Sequence, residues 1–119
     1  MKIESLTEWD KRLNGSSLQG YIHGDYDDLV DAFGEPTLET DEYKTDAEWV
    51  LDFGDDLLIT IYNYKNGKNY LGADGLNVRD IKHWHVGGKG PRGLFKLDEY
   101  FEENGIRLST ELDRLYSHG

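Results

Sequence analysis

Two neighbouring runs with strand-like alternation, joined by a turn, constrain the fold of this chain more than any other feature. In residues 43–53 the odd positions are mostly apolar and the even positions mostly charged, which is typical of a half-buried strand with an acidic outer side. Residues 57–64 are rich in β-branched and aromatic residues, and Gly54-Asp55-Asp56 supplies a turn between the runs. We predict an antiparallel hairpin whose register pairs apolar residues, Leu51 with Ile59 and Trp49 with Ile61.

Further helices and strands are predicted around this hairpin. Apolar spacing and capping signals indicate helices after the Ser5-x-x-Glu8 capping box, at 25–33, at 93–104 and after Ser109. Strands are predicted at 17–23 and 80–86, with a Gly/Asn-rich loop at 65–77 and a break in regular secondary structure at Gly87-Gly88-Lys89-Gly90-Pro91. Without strict βαβ alternation, this pattern predicts an α+β fold: a small, mainly antiparallel sheet of three to four strands with peripheral helices.

Length and composition exclude several classes of protein. The chain has 119 residues, enough for one core, so we predict a single domain over 1–119. No run approaches the roughly 20 apolar residues of a membrane span, and Met1-Lys2-Ile3-Glu4-Ser5 lacks the apolar run of a secretory signal. We therefore expect a cytoplasmic protein with no membrane partner. The absence of cysteine excludes disulfides and thiolate chemistry.

Acidic residues are concentrated in one segment. The net charge is −11, and residues 25–56 alone contain thirteen acids against one base, Lys44. This charge disfavours direct nucleic-acid binding, because phosphate contacts need lysine or arginine. Such density is destabilising by self-repulsion, which favours use in binding over a merely solvated surface, although both interpretations remain open. We predict a surface for a basic partner formed by Asp25, Asp27, Asp28, Asp31, Glu35, Glu39, Asp41, Glu42 and Glu48.

The first acids of this segment have two other interpretations. Asp25 or Asp27 is suited to cap the helix predicted at 25–33. The same residues resemble the start of an EF-hand loop, but that loop needs glycine and glutamate where this chain has Val30 and Pro36, so the EF-hand interpretation fails.

A glycine-rich segment before the predicted helix at 93–104 is the second candidate site. Residues 88–93 fit G-x-G-x-x-G, but only about 26 residues follow, too few for a dinucleotide-binding fold. A single phosphate or carboxylate is a simpler ligand for a helix N-terminus flanked by basic residues, and a plain turn is the alternative. The candidate anion-binding residues are Lys82, Gly88, Lys89, Gly90 and Arg92.

Two histidines form the third candidate site. His83 and His85 are two apart on a predicted strand, so both imidazoles face the same side, as in some metal sites. No third ligand is fixed by spacing, so metal binding is a weak hypothesis beside ordinary packing or a contact patch that includes Trp84. We expect no cofactor. Without cysteine or a serine in a nucleophile elbow, and with no carboxylate pair singled out, we predict a non-enzyme.

Several short motifs in the middle of the chain support a resemblance. They are Leu18-Gln19-Gly20-Tyr21-Ile22, Phe33-Gly34-Glu35-Pro36, Ala47-Glu48-Trp49, Trp49-x-x-x-Phe53, Thr60-Ile61-Tyr62-Asn63-Tyr64-Lys65 and Trp84-His85-Val86-Gly87-Gly88. Over residues 18–88 the chain resembles small phage-encoded accessory proteins. The resemblance implies a phage product acting inside a bacterial cell, where small acidic proteins are often anti-defence inhibitors, including anti-CRISPR proteins and DNA mimics.

Charge and resemblance together favour an inhibitor of a basic, nucleic-acid-handling host protein such as a nuclease or a CRISPR effector. A toxin immunity protein fits the same physics. The alternative from another class is a protein that sequesters a nucleotide or phosphate at the basic glycine-rich segment. A metal-dependent nuclease or hydrolase that uses His83 and His85 is a further alternative. The oligomeric state is left open.

Overall fold

One six-stranded sheet organises the protein, for which a computed structural model describes residues 2–37 and 45–113. Its strands are β1 (Glu4–Ser5), β2 (Ser17–His23), β3 (Glu48–Asp52), β4 (Leu58–Tyr62), β5 (His83–Gly88) and β6 (Ser109–Leu112). The helices are α1 (Tyr26–Phe33), α2 (Lys68–Leu71) and α3 (Arg92–Glu103), with 3₁₀ turns at Lys11–Leu13, Gly72–Asp74 and Val78–Asp80. The α+β prediction is confirmed.

The sheet has the order β1-β3-β4-β5-β2-β6, and every neighbouring pair is antiparallel. The prediction of three to four strands is therefore too small, because both edge strands come from segments for which a helix was predicted. Glu4 and Ser5 pair with β3 instead of opening a helix after a capping box. Ser109 likewise starts a strand that pairs with β2, so the helix predicted after it is wrong as far as Leu112, and the rest of that prediction lies outside the described residues.

The predicted hairpin register is confirmed, with Leu51 opposite Ile59 and Trp49 opposite Ile61. The strand is shorter than predicted, since β3 begins at Glu48. Its even-numbered side is also not uniformly acidic and exposed: Val50 is fully buried and packs with Leu13 and Leu58. The amino-terminal segment, residues 4–16, covers this part of the sheet. Its apolar residues pack on the sheet, which explains why they do not form the predicted helix.

Helices α1 and α3 cover the other face of the sheet and enclose the main core. α1 follows its predicted apolar spacing, and Gly34, with φ +82°, ends it. At the centre, the rings of Trp49 and Trp84 meet edge to face with centroids 5.5 Å apart. Each indole N–H donates to a backbone oxygen, that of Trp49 to Gly34 at 2.9 Å and that of Trp84 to Gly24 at 3.0 Å. Both large side chains are thus buried without an unsatisfied donor.

Three other predicted boundaries need correction. The strand predicted at 80–86 is β5, which begins at His83 because residues 78–80 form a 3₁₀ turn. Gly87 and Gly88 continue this strand instead of breaking it, since Gly88 pairs with both Ser17 and Ile59. The predicted loop at 65–77 contains the short helix α2. No helix within the described residues is both long and apolar enough to cross a membrane.

Candidate functional site

The acidic residues of α1 lie on its outer side, because its apolar residues face the sheet. Asp27 and Asp31 are exposed and Asp28 is half-buried. Asp25 occupies the N-cap position, one of the two predicted for it, but its side chain makes no capping hydrogen bond; Asp27 lies in the first turn of the helix. Asp25 instead lies 3.2 Å from Lys82 Nζ. Among the described residues, Asp27, Asp28 and Asp31 form no ion pair.

Helix α3 adds acids to the same side of the molecule. Its outer residues Asp98, Glu99, Glu102 and Glu103 are exposed. The two helices meet where Asp28 and Asp31 line a cleft of about 220 Å³ with Tyr100, Ile106 and Arg107. We call the outer acids of both helices the acidic helical layer: Asp27, Asp28, Asp31, Asp98, Glu99, Glu102 and Glu103. The acids of α3 were missed because they are about 70 residues from α1 in sequence.

Not all of the predicted acidic surface belongs to this layer. Glu35 is exposed just beyond α1. Glu48 lies on the opposite face of the sheet, where its Oε2 accepts a hydrogen bond from the Thr60 hydroxyl. Glu39, Asp41 and Glu42 lie outside the described residues. The predicted surface is therefore divided between two sides of the sheet.

A second group of acids is bound to one arginine. Arg12 reaches Asp10 at 2.8 Å, Asp56 at 3.0 Å and Asp52 at 3.3 Å. Hydrogen bonds from the side chain and then the backbone N–H of Arg12 lower the pKa of Asp10 to about 2, and the hydrogen bonds that Arg12 donates to Asp10 and Asp56 raise the pKa of Arg12. These acids fasten the amino-terminal segment to the hairpin.

The predicted anion-binding residues do not come together. Lys82 precedes β5 and pairs with Asp25, whereas Lys89 follows the other end of this strand. The six extended residues of β5 separate the two lysines by about 20 Å. Gly88 is buried in the sheet, and its carbonyl accepts a hydrogen bond from Gln19 Nε2 at 2.9 Å. Only Gly90 and Arg92 remain beside Lys89. The antiparallel sheet also lacks the parallel βαβ unit of a dinucleotide site.

The histidine pair lies on the sheet face that α1 and α3 leave uncovered, and Trp84 between them points into the core. His83 and His85 face the same side as predicted, and pairing with β2 adds Tyr21 and His23. The Tyr21 ring lies 4.8 Å from that of His83 and 5.2 Å from that of His85. We call Tyr21, His23, Tyr62, His83 and His85 the aromatic cluster. The described residues contain no group of three or more metal-binding side chains.

Burial shapes the protonation of this cluster. Desolvation is the largest cause that lowers the pKa of both His83 and His85, and the positive charge of a neighbouring histidine is the second. Desolvation followed by the Glu48 charge raises the pKa of Tyr62. The two imidazoles are thus favoured in the neutral form, and the Tyr62 phenol is favoured as a hydrogen-bond donor.

A groove of about 500 Å³ adjoins the aromatic cluster and was not predicted. Its floor is formed by sheet residues and one wall by the amino-terminal segment. The lining is Trp9, Leu13, Asn14, Gly15, Ser16, Ser17, Leu18, Thr45, Glu48, Thr60, Tyr62, Tyr64 and Gly87. Its residues come from four separated segments, and only strand pairing brings them together.

Comparisons with known proteins found no similar protein, so the geometry of the structure is the basis for a proposed function. No protein-family model matches the chain, and neither curated proteins nor solved structures gave a match. The resemblance to small phage-encoded accessory proteins therefore stays a prediction.

Proposed function

We propose that this protein is a non-catalytic, stoichiometric inhibitor that binds a basic, nucleic-acid-handling protein through the acidic helical layer. The main support is the placement of Asp27, Asp28 and Asp31 beside the acids of α3, on one side of the sheet. The described residues offer these three acids no ion pair. Arg107 lines the cleft beside Asp28 and Asp31 without forming an ion pair with them, so the layer of seven acids keeps a net negative charge.

The physical consequences of this charge match such a role. Neighbouring like charges destabilise the folded chain, and a basic partner relieves their repulsion. A negative surface also attracts a positive partner over a distance and raises the association rate, especially at low salt. Nucleic acid is repelled by the same surface, so the proposed target is the basic protein and not its nucleic acid.

The proposed setting is the cytoplasm of a phage-infected bacterium. There the target is a nuclease or a CRISPR effector, and the acids of the layer occupy the place of nucleic-acid phosphates. A toxin immunity protein would use the same charge complementarity against a basic toxin. The genes that flank the coding sequence distinguish these two settings.

The test compares two variants with equal charge change. Asp27→Asn, Asp28→Asn and Asp31→Asn together neutralise the α1 part of the layer. Glu4→Gln, Asp74→Asn and Asp80→Asn together form the control, because these acids are exposed, lie outside the layer and form no ion pair among the described residues. Both variants and the native protein are immobilised and exposed to bacterial lysate at two salt concentrations.

We expect the native protein and the control to retain a basic nucleic-acid-binding protein at low salt, and the layer variant to retain at least tenfold less. High salt should release the captured basic protein from the native protein and from the control. Equal retention by the layer variant, or binding that is insensitive to salt, would contradict the proposal. Failure of the native protein to retain any basic nucleic-acid-binding protein would also contradict it.

A further inference from the structure

We propose that the groove beside the aromatic cluster binds a neutral, polyhydroxylated ring compound, such as a saccharide. This site lies on the opposite side of the sheet from the acidic helical layer, so it is independent of the function proposed above. Its volume of about 500 Å³ falls within the roughly 300–1,000 Å³ typical of small-molecule sites.

Aromatic rings border the groove and are fixed before any ligand arrives. Trp9 is 42% exposed, and its indole N–H donates to Asn14 Oδ1 at 3.2 Å, which holds the ring against the amino-terminal segment. Tyr62 and Tyr64 border the groove on β4 and just after it, and both contact the His85 ring, at 5.5 and 5.4 Å. Rigid aromatic surfaces suit the apolar C–H faces of a sugar ring.

The polar groups of the lining are mostly hydroxyls. Ser16, Ser17, Thr45, Thr60, Tyr62 and Tyr64 contribute six hydroxyl groups, a group type that can both donate and accept, although the Thr60 proton is already donated to Glu48. The buried Ser16 hydroxyl has no hydrogen-bond partner among the described residues, so the wall holds unmet polar capacity. A ligand rich in hydroxyl groups matches this mixture of donors and acceptors.

Charge argues against an anionic ligand. Glu48 is the charged residue of the lining, and no lysine, arginine or histidine of the described chain lines the groove. A phosphate or carboxylate would meet a like charge without a compensating cation. A cationic ligand would be attracted by Glu48, but its charged group brings donors only and would leave the hydroxyl protons of the lining without an acceptor.

Backbone pairing argues against a peptide in extended form. The lining residues Thr60, Tyr62 and Gly87 belong to the central strands β4 and β5, whose backbone groups pair with neighbouring strands on both sides. At these positions the groove offers side chains and not a free strand edge, which peptide binding by strand addition requires. Gly87 lines the floor without a side chain, and a Cβ at this position would lie 3.0 Å from Thr60 Cγ2.

The test uses the intact protein and ¹⁵N-resolved amide spectra. The probes are maltose, cellobiose and diacetylchitobiose, with argininamide and AMP as cationic and anionic comparisons, each up to about 50 mM, where a millimolar Kd is measurable. We expect at least one disaccharide to shift the amides of Ser16, Ser17, Thr60 and Gly87 saturably. We expect argininamide and AMP to cause no saturable shift there.

Three variants make the test specific. Trp9→Ala removes the aromatic wall and should weaken disaccharide binding at least tenfold, whereas Phe95→Ala removes another exposed aromatic ring on α3 and should leave it unchanged. Glu48→Gln keeps the shape of the side chain and an oxygen that accepts the hydrogen bond from the Thr60 hydroxyl. It should therefore weaken disaccharide binding less than Trp9→Ala. The absence of a saturable shift with all three disaccharides would overturn the proposal, as would preferential binding of argininamide abolished by Glu48→Gln.

Discussion

The imidazole ring of His23 stacks on that of His83, with an interplanar angle of 2° and centroids 5.0 Å apart. Acidic side chains and a third imidazole ring surround this stack. His23 Nε2 lies 2.7 Å from Glu111 Oε1, and His85 lies 6.0 Å from His83 between ring centroids. The charges of Glu111 and Asp113 favour protonation of His83 and His85 respectively, while Tyr21, Tyr62 and Tyr64 enclose the rings. Burial outweighs these acids and lowers the pKa of both His83 and His85.

This lowered pKa predicts a loss of stability in mild acid. In the unfolded chain a histidine has a pKa of about 6.5, so below that pH the unfolded state binds protons that folded His83 and His85 do not. The free energy of unfolding should therefore be lower at about pH 5 than at pH 7.5. Urea unfolding at both pH values measures this difference.

The matched variant is His83→Asn with His85→Asn, which should lose part of the difference between the two pH values. Asp10 does not confuse the measurement, because its pKa of about 2 places its effect in stronger acid. An unchanged pH dependence in the double variant, or higher stability at the lower pH, would refute the assignment to these histidines.

The Arg12 contacts predict a pKa change at Asp10. Arg12→Gln removes the guanidinium bond but keeps the backbone N–H bond at 2.9 Å, so the pKa of Asp10 should rise from about 2 part of the way towards 3.8. Carboxyl-carbon NMR titration measures it directly. Lys11→Gln removes the same charge from a more weakly coupled neighbour and should change the pKa much less. Equal effects of both substitutions would show that general charge, not the contact, holds Asp10 ionised.

Two glycines of the sheet should respond differently to alanine. A Cβ on Gly20 would lie 2.2 Å from the backbone oxygen of Glu111 and 2.7 Å from Leu94 Cδ2, whereas a Cβ on Gly88 would meet ordinary contacts of 3.6 Å or more. Gly20→Ala should therefore separate β2 from β6 and destabilise the protein by about 2 kcal/mol or more. Gly88→Ala should change stability by less than about 1 kcal/mol. Chemical unfolding compares the two, and equal losses would contradict the close approach at Gly20.

The buried side chain of Asn63 predicts a third stability effect. Its Oδ1 accepts from the backbone N–H groups of Asp46 at 2.7 Å and Ala47 at 3.1 Å, and its Nδ2 donates to Asp46 Oδ1 at 2.9 Å. Asn63→Asp keeps the acceptor but places a second carboxylate against Asp46, and should cost about 2–4 kcal/mol. Adding Asp46→Asn should recover part of this loss. A double variant no more stable than the single one would contradict this coupling.

Local sequence signals predicted the elements whose contacts are close in the chain. The hairpin register followed from alternation on both sides of a short turn, and α1 from the spacing of Tyr26, Leu29, Val30 and Phe33. Both edge strands were missed because they are only two and four residues long, and distant partners decide their structure. Leu6 packs with Val50 and Leu58, which overrides the Ser5-x-x-Glu8 signal.

The same distinction applies to the candidate sites. His83 and His85 were placed on one side because side chains alternate along a strand. Their neighbours His23 and Tyr62 come from strands whose order the sequence did not show, so the aromatic cluster could not be foreseen. Charge counting found the acids of α1, but it could not place Glu48 on the opposite face or bring in the acids of α3.

The amino-terminal segment couples the groove to local folding. This segment is held by Arg12 and by a small separate core of Leu13, Val50 and Leu58, whereas the main core lies on the other side of the sheet. Its detachment would release the edge strand β1 and expose few apolar groups, but it would leave the other five strands paired, so it should occur more often than global unfolding. The wall formed by Trp9 exists only while the segment is attached. Any molecule that occupies the groove must therefore also slow hydrogen exchange throughout residues 4–16, including β1, which does not line the groove.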